Sequence, residues 1–304
     1  MLLSTNVDLG VATHTGRVRS TNEDDFLLYS PQSAEEDVRR GWFLAIADGM
    51  GGVTGGAEAS RTAVRAAVRP HLETVIEGPV ERMRACFAQA AREVYRSSRE
   101  NPTLREMGTT LTIMNCVGAK MVVGHVGDTR CLRVRGGEIE QLTEDHAITE
   151  PESYLTRCVG AGQREVEVDV SEHDVLDGDR YALLSDGLWG LVSDAEIRRL
   201  IQTLPAQDAA EELIHQANRR GGPDNSTVVI LWIRSVGGST EFQEVDLPTE
   251  ELRQRALFRQ PDSRLVPPRW PWVMLVLGAL ILALALSRLW LGVDLIRDFF
   301  DWLR

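Results

Sequence analysis

Three aspartates stand where apolar, strand-like runs meet glycine-containing turns. Asp48 follows the run 42–47 and opens Asp48-Gly49-Met50-Gly51-Gly52; Asp186 closes Leu183-Leu184-Ser185-Asp186-Gly187; Asp224 lies in Gly221-Gly222-Pro223-Asp224-Asn225, just ahead of the strand-like 226–232. A fourth acidic group, Asn22-Glu23-Asp24-Asp25, precedes the strand-like 26–29. One strand-to-Asp-Gly junction is also how ordinary turns are written. Repeated along one chain, the arrangement suggests a single hard-cation site assembled from distant segments.

Such a site supports a specific chemistry. Two divalent ions held close together lower the pKa of a bound water and clamp the attacking and leaving oxygens of a phosphoryl transfer. They need oxygen ligands, few of them, with room for water. Asp48, Asp186 and Asp224 meet that need, together with the carbonyl of Gly49, which no side chain covers. Arg19, four residues before Glu23, is the candidate for a bidentate contact to a substrate phosphate. The chain shows neither a Ser-His-Asp arrangement nor a P-loop, so a nucleophile supplied by the protein is not required. Taken singly, each group also has a plain structural reading: Asp224-Asn225 as an Asx-turn, Glu23-Asp24 as a solvated strand entry, Arg19 as a surface charge. Arg130 reads as one half of a structural ion pair and Cys158 as core. His125 and His146 read as structural, because a carboxylate site for Mg²⁺ or Mn²⁺ has little need of imidazole.

The elements that must position these residues occupy the first 234 residues. Strand-like runs cover 7–13, 26–29, 42–47, 109–117, 121–126, 131–135, 181–184 and 227–233. Gly118-Ala119 between two of them reads as a hairpin turn. Helical periodicity marks 57–72, 80–99, 194–200 and 206–218. Antiparallel-type strands with helices in separate blocks predict an α+β fold, not a doubly wound one. The formal net charge of -12 argues against a nucleic-acid partner. Cys86, Cys116, Cys131 and Cys158 form no CxxC pair, which argues against a zinc site or a disulfide framework and fits a reducing compartment. The first residues lack the basic start and long apolar core of a secretory signal.

Beyond residue 234 the character changes. Residues 235–269 carry prolines and charges with few aliphatic clusters and read as a linker. Residues 270–293 are expected to form a membrane-spanning helix, because in 273–293 only Ser287 and Arg288 are polar and about 20 apolar residues cross a bilayer. Trp270, Trp272 and Trp290 lie near its ends. The near flank carries Arg253, Arg255, Arg259, Arg264 and Arg269, against Arg288, Arg297 and Arg304 at the far side. That bias places the N-terminal body in the cytoplasm, on a single-pass inner (cytoplasmic) membrane anchor. Residues 294–304 form a short amphipathic tail with Leu295, Ile296, Phe299, Phe300 and Leu303 on one helical face.

Seven motifs occur along the chain: Gly16-Arg17-Val18-Arg19-Ser20-Thr21-Asn22-Glu23-Asp24, Asp48-Gly49-Met50-Gly51-Gly52, Gly108-Thr109-Thr110, Gly127-Asp128-Thr129-Arg130, Leu142-Thr143-Glu144-Asp145-His146, Ser185-Asp186-Gly187 and Asp224-Asn225-Ser226-Thr227. In these motifs the chain resembles the bacterial form of the metal-dependent PPM, or PP2C, serine/threonine protein phosphatases. The motifs stand in the family's order and cover most of 4–233. The fold implied is a β-sandwich of two antiparallel sheets flanked by helices (αββα). The activity implied is hydrolysis of phosphoserine and phosphothreonine with two Mn²⁺ or Mg²⁺ ions, by in-line attack of a metal-bridging hydroxide. Carried over, Asp48 bridges the metals, Gly49 ligates through its carbonyl, and Asp186 and Asp224 complete the coordination of the second metal. Arg19 holds the phosphate, Glu23 and Asp24 orient metal-bound waters, Asn225 supports the site by hydrogen bonds, and Asp128 matches the position of a third, weaker ion.

The sequence departs from the pattern at Met50, where animal members carry a histidine, at His14, where bacterial members often have Asp, and at 146–155, which is shorter than the usual flap. Met50 leaves the leaving-group acid unassigned. The expected partners are phosphorylated proteins and, at the membrane, a serine/threonine kinase that the enzyme opposes. The competing expectation is a non-catalytic phosphoprotein-binding or scaffolding module of the same fold, which loss of a metal-binding aspartate would have favoured; all are present.

Overall fold

Alternation along the strands decides the layers. On a strand, successive side chains point to opposite faces, so one residue series faces one layer and the next series the other. The structure is a computed structural model that describes residues 4–50, 52–73, 78–148 and 154–238. In chain order the elements are β1 (Ser4–His14), β2 (Asp24–Tyr29), α1 (Ala34–Arg39), β3 (Trp42–Met50), α2 (Gly52–Leu72), α3 (Pro79–Glu100), β4 (Gly108–Thr109), β5 (Leu111–Val117), β6 (Lys120–Val126), β7 (Arg130–Arg135) and β8 (Glu138–Gln141). There follow β9 (Ala147–Ile148), β10 (Tyr154–Leu155), β11 (Val159–Gly160), β12 (Asp169–Asp174), β13 (Arg180–Leu184), α4 (Asp186–Trp189), α5 (Asp194–Thr203), α6 (Ala206–Arg219) and β14 (Ser226–Gly238).

One sheet has the order β1-β14-β13-β7-β8; the other runs β11-β4-β3-β5-β6-β12, with β2 also paired to β3. All these pairings are antiparallel. Trp42, Leu44 and Ile46 of β3 join Phe26 and Leu28 of β2, Val229, Leu231 and Ile233 of β14, and Tyr181 and Leu183 of β13 in one buried cluster between the sheets. Phe43, Ala45 and Ala47, the alternate series of β3, pack instead against α2 and α3. Val228 and Ile230 of β14, with Ala182 and Leu184 of β13, pack against α5 and α6. The expected αββα sandwich is therefore present, and each fully buried Phe or Leu in it contributes roughly 1.5–3 kcal/mol.

The helices sit close. α3 places Met83, Phe87, Ala90, Ala91 and Val94 on its buried face. A Cβ at Gly124 of β6 would stand 2.5 Å from the Phe87 ring, so this helix and sheet meet only because that position is glycine. α5 opens with a capping box between Ser193 and Glu196.

Several boundaries differ from the sequence reading. β3 runs through Asp48 and Gly49 to Met50, because Gly49 and Met50 pair with Thr109 and Gly108 of β4. Asp186 is the first residue of the short helix α4, not a turn residue. β12 has no counterpart among the strand-like runs, since its sequence, Asp-Val-Ser-Glu-His-Asp, lacks apolar alternation; it forms an edge strand on β6. β14 continues to Gly238, four residues into the stretch read as linker. The segment 270–293 that was expected to span a membrane, the tail 294–304 and the rest of the linker lie outside the described residues. Among the described residues, no helix is long and apolar enough to cross a membrane.

Candidate metal centre

The same alternation delivers the acidic residues. On β3, Asp48 continues the series Trp42, Leu44, Ile46; on β2, Asp24 begins the series that Phe26 and Leu28 continue. Both carboxylates therefore belong to the face between the sheets, and the two residues pair directly across β2 and β3. Thr227 of β14 and Ser185, which follows β13, extend the facing series from the opposite sheet. The polar site is thus one end of the sandwich core.

A cavity of about 630 Å³ opens there, lined by five carboxylates, Glu23, Asp48, Asp128, Asp186 and Asp224, together with Arg19, Gly49, Met50, Thr110 and Asn225. Tyr154 and Leu155 of β10 close part of its edge. Asp48 is fixed through its backbone: its N–H donates to Thr110 Oγ1 at 2.8 Å, and its carbonyl accepts from Thr109 Oγ1 at 2.8 Å. Gly49 is required by space, because a Cβ would stand 2.1 Å from the Gly56 carbonyl oxygen and 2.7 Å from that of Glu23. Gly187, beside Asp186, is held likewise, with a Cβ 2.0 Å from the Asn225 carbonyl oxygen.

Asn225 joins the segments. Its Oδ1 accepts from the Glu23 N–H at 2.7 Å, and its Nδ2 donates to the carbonyls of Thr15 at 2.8 Å and Thr21 at 2.9 Å. The loop bearing Arg19 and Glu23 is thereby tied to the turn bearing Asp224. Arg19 Nη2 donates to Asp224 Oδ2 at 2.7 Å at the cavity rim.

Asp24 stands apart from the other acidic residues. It does not line the cavity; it is buried, and its Oδ2 accepts from Ser185 Oγ at 2.8 Å and Thr227 Oγ1 at 2.7 Å. Its place is beside Asp48, bracing the two sheets. His14 is exposed and its Nδ1 accepts from the Gly16 N–H at 2.8 Å, so it shapes a turn outside the cavity. Sequence reasoning missed Trp189, whose Nε1 donates to the Asp128 carbonyl at 3.1 Å, and the roles of Thr110, Ser185 and Thr227. The hydroxyls beside the acidic motifs were the available signal.

The electrostatics are those of crowded carboxylates. Burial first, and then the charges of Asp24, Asp186, Asp128 and Asp224, push the Asp48 carboxyl well above its usual range. Burial and Asp224 raise Asp186, and burial with Asp186 raises Asp128 to about 6. Glu23 Oε1, Asp24 Oδ1 and Asp186 Oδ1 are buried without a hydrogen-bond partner. Buried carboxylate oxygens are ordinarily paired or coordinate a metal. Among the described residues no three potential ligands already converge on one point, so the carboxylates ring the cavity. An all-oxygen donor set with orphaned acceptors fits hard divalent cations such as Mg²⁺ or Mn²⁺.

Comparison with known proteins gives the same direction. The profile of the family described as "Protein phosphatase 2C" matches residues 16–219. The chain is 29% identical over 247 residues to "Protein phosphatase PhpP" of Streptococcus pneumoniae, covering 74% of this chain and 97% of that protein. It is 33% identical over 233 residues to "Serine/threonine protein phosphatase PstP" of Mycobacterium tuberculosis, covering 71% of this chain and 43% of PstP. The crystal structure of the PstP catalytic domain in complex with two manganese ions superposes with a TM-score of 0.64 at 31% identity, covering 75% of this chain and 99% of that one.

Proposed function

The chain belongs to the protein phosphatase 2C family of metal-dependent serine/threonine protein phosphatases, and from that premise we propose that it hydrolyses phosphoserine and phosphothreonine in proteins at the cavity ringed by Asp48, Asp186 and Asp224. The observation that carries the reading is the set of orphaned carboxylate oxygens around a cavity with one guanidinium, Arg19, at its rim. Asp48, the Gly49 carbonyl, Asp186 and Asp224 would hold two Mn²⁺ or Mg²⁺ ions, and Asp128 a third. Bound there, such ions acidify water and neutralise charge on a phosphoryl group. Arg19 binds and orients the phosphate, and Asn225 keeps Arg19 and Glu23 in register with Asp224. Asp24 holds the floor beneath Asp48. Met50 lines the cavity but carries no proton to give, so it does not serve as the acid for the leaving oxygen.

The test is phosphate release from a phosphothreonine peptide by the purified chain with Mn²⁺. Turnover that Asp48→Ala abolishes supports the reading; metal binding without turnover on any phosphopeptide returns the chain to the class of non-catalytic phosphoprotein-binding modules.

The membrane reading is also part of this proposal, and it rests on the apolar length of 273–293 and the arginine bias around it. It makes the protein a single-pass inner-membrane enzyme whose catalytic domain faces the cytoplasm and opposes a serine/threonine kinase. Deleting residues 270–304 should move the protein from the membrane to the soluble fraction with its activity retained. Continued membrane association would contradict the anchor.

A further inference from the structure

His146 lies at a junction that the phosphatase reading does not use. The ring is buried, at 6% exposure. Its Nδ1 accepts from the Gly127 N–H at 3.1 Å. Because that amide can only donate, the ring proton of the neutral form sits on Nε2, 2.9 Å from Asp169 Oδ2. Asp169 Oδ1 in turn accepts from Arg157 Nη1 at 2.8 Å. The backbone of His146 makes two more contacts: its N–H donates to the Gly127 carbonyl at 2.6 Å, and its carbonyl accepts from the Thr156 N–H at 2.8 Å.

These contacts join two parts of the cavity wall. Gly127 immediately precedes Asp128, and its φ of +114° is in the region that favours glycine. Ala147 immediately follows His146 and pairs with Leu155, while Ile148 pairs with Tyr154. Thr156 and Arg157 follow directly on Leu155. The His146 side chain, through Asp169 of β12 and Arg157, therefore links the loop that carries Asp128 to the segment just after the β9–β10 ribbon. The ribbon presents Tyr154 and Ile148, 55% and 42% exposed, and Tyr154 lines the cavity edge. With Tyr154 at the cavity edge, peptide on either side of a phosphorylated residue would meet this ribbon if the phosphate entered the cavity, whereas a small aryl phosphate has no flanking chain to do so.

We propose that His146 is a positioning residue that couples the β9–β10 ribbon to Asp128 through Asp169 and Arg157, so that engagement of the peptide flanking the phosphate and placement of Asp128 change together. This rests on the phosphatase reading. Two variants separate the ends of the link. His146→Asn places an amide oxygen near the Nδ1 position, to accept from Gly127, and leaves nothing to reach Asp169. Asp169→Ala removes the far end while leaving the histidine in place.

The experiment compares KM and kcat for a phosphothreonine peptide and for p-nitrophenyl phosphate in the full chain, together with hydrogen exchange at the Gly127 amide. Each variant should raise the peptide KM roughly five- to tenfold, the scale of one lost charge-assisted hydrogen bond. The p-nitrophenyl phosphate KM should change less than about twofold, because the small substrate does not contact the ribbon. The double variant should be no worse than the single ones, since both cut one link. Exchange at Gly127 should quicken in Asp169→Ala, although that substitution touches neither Gly127 nor Asp128. Equal effects on the KM of both substrates, additive losses, or unchanged exchange at Gly127 would overturn the coupling. If His146→Asn fails to fold, Asp169→Ala and Arg157→Gln carry the same comparison. Retained hydrolysis of p-nitrophenyl phosphate with no peptide-specific change defeats the coupling alone, whereas no hydrolysis of either substrate by the unaltered chain defeats the phosphatase reading.

Discussion

The Arg19 guanidinium and the Asp224 carboxylate meet at 2.7 Å across the rim of the cavity, tying the residue proposed to hold phosphate to one proposed to hold metal. If Asp224 holds a divalent ion as proposed, Arg19 would compete with that ion for the same carboxylate. Both side chains are partly exposed, at 54% and 35%, so the pair itself is worth only about 0.2–1 kcal/mol. Arg19→Met should have two opposite effects. Mn²⁺ binding, measured by calorimetry, should tighten by up to about fivefold as the competing cation is lost. Hydrolysis of a phosphopeptide should fall by about tenfold or more in kcat/KM as the phosphate contact is lost.

Asn225 makes a larger structural contribution than its size suggests. Its side chain satisfies the Glu23 amide and the Thr15 and Thr21 carbonyls, and it is 5% exposed. Asn225→Ala leaves three backbone groups without those partners. We expect a stability loss of about 2–4 kcal/mol in urea denaturation, with reduced kcat/KM because Arg19 and Glu23 lose their tie to Asp224.

Much of this was legible in the sequence, for a physical reason. The apolar series of β2, β3, β13 and β14 alternate between two buried faces, and Asp48 and Asp186 follow such series closely. Their approach in space therefore follows from the register of the sheets. Asp24 was legible as an acidic residue but not as a buried brace, because its partners Ser185 and Thr227 come from segments far along the chain. β12 escaped notice because an edge strand of polar residues lacks the alternation that marks a buried one. His146 read as structural, which its burial supports. Its link between Gly127 and Asp169 depends on tertiary contacts that no local pattern announces.

His71 gives the fold an acid sensitivity away from the cavity. Burial first, then Arg82 and Arg40, lower its pKa from 6.5 to about 3. Its ring packs on Tyr29 at 5.3 Å and Phe43 at 4.8 Å between centroids. The folded pKa is depressed, so the unfolded chain takes up the proton first as pH falls. The stability is fully present above pH 6.5 and is lost as pH falls toward about 3. The loss approaches about 1.4 kcal/mol per pH unit within that window. His71→Phe should flatten the dependence of the urea midpoint between pH 6.5 and roughly 4.5, well inside the window.

The carboxylates around Asp48 are assigned the cations that hydrolyse a phosphoester, and every other role given to the cavity depends on that assignment. The most direct measurement is phosphate release from a phosphothreonine peptide by the full chain, with Mn²⁺ added and again after chelation, for the unaltered protein and for Asp48→Ala. The expected result is turnover with Mn²⁺, none after chelation, and a loss of about a thousandfold or more in Asp48→Ala. Turnover that survives chelation, or that survives Asp48→Ala at the unaltered rate, would contradict it.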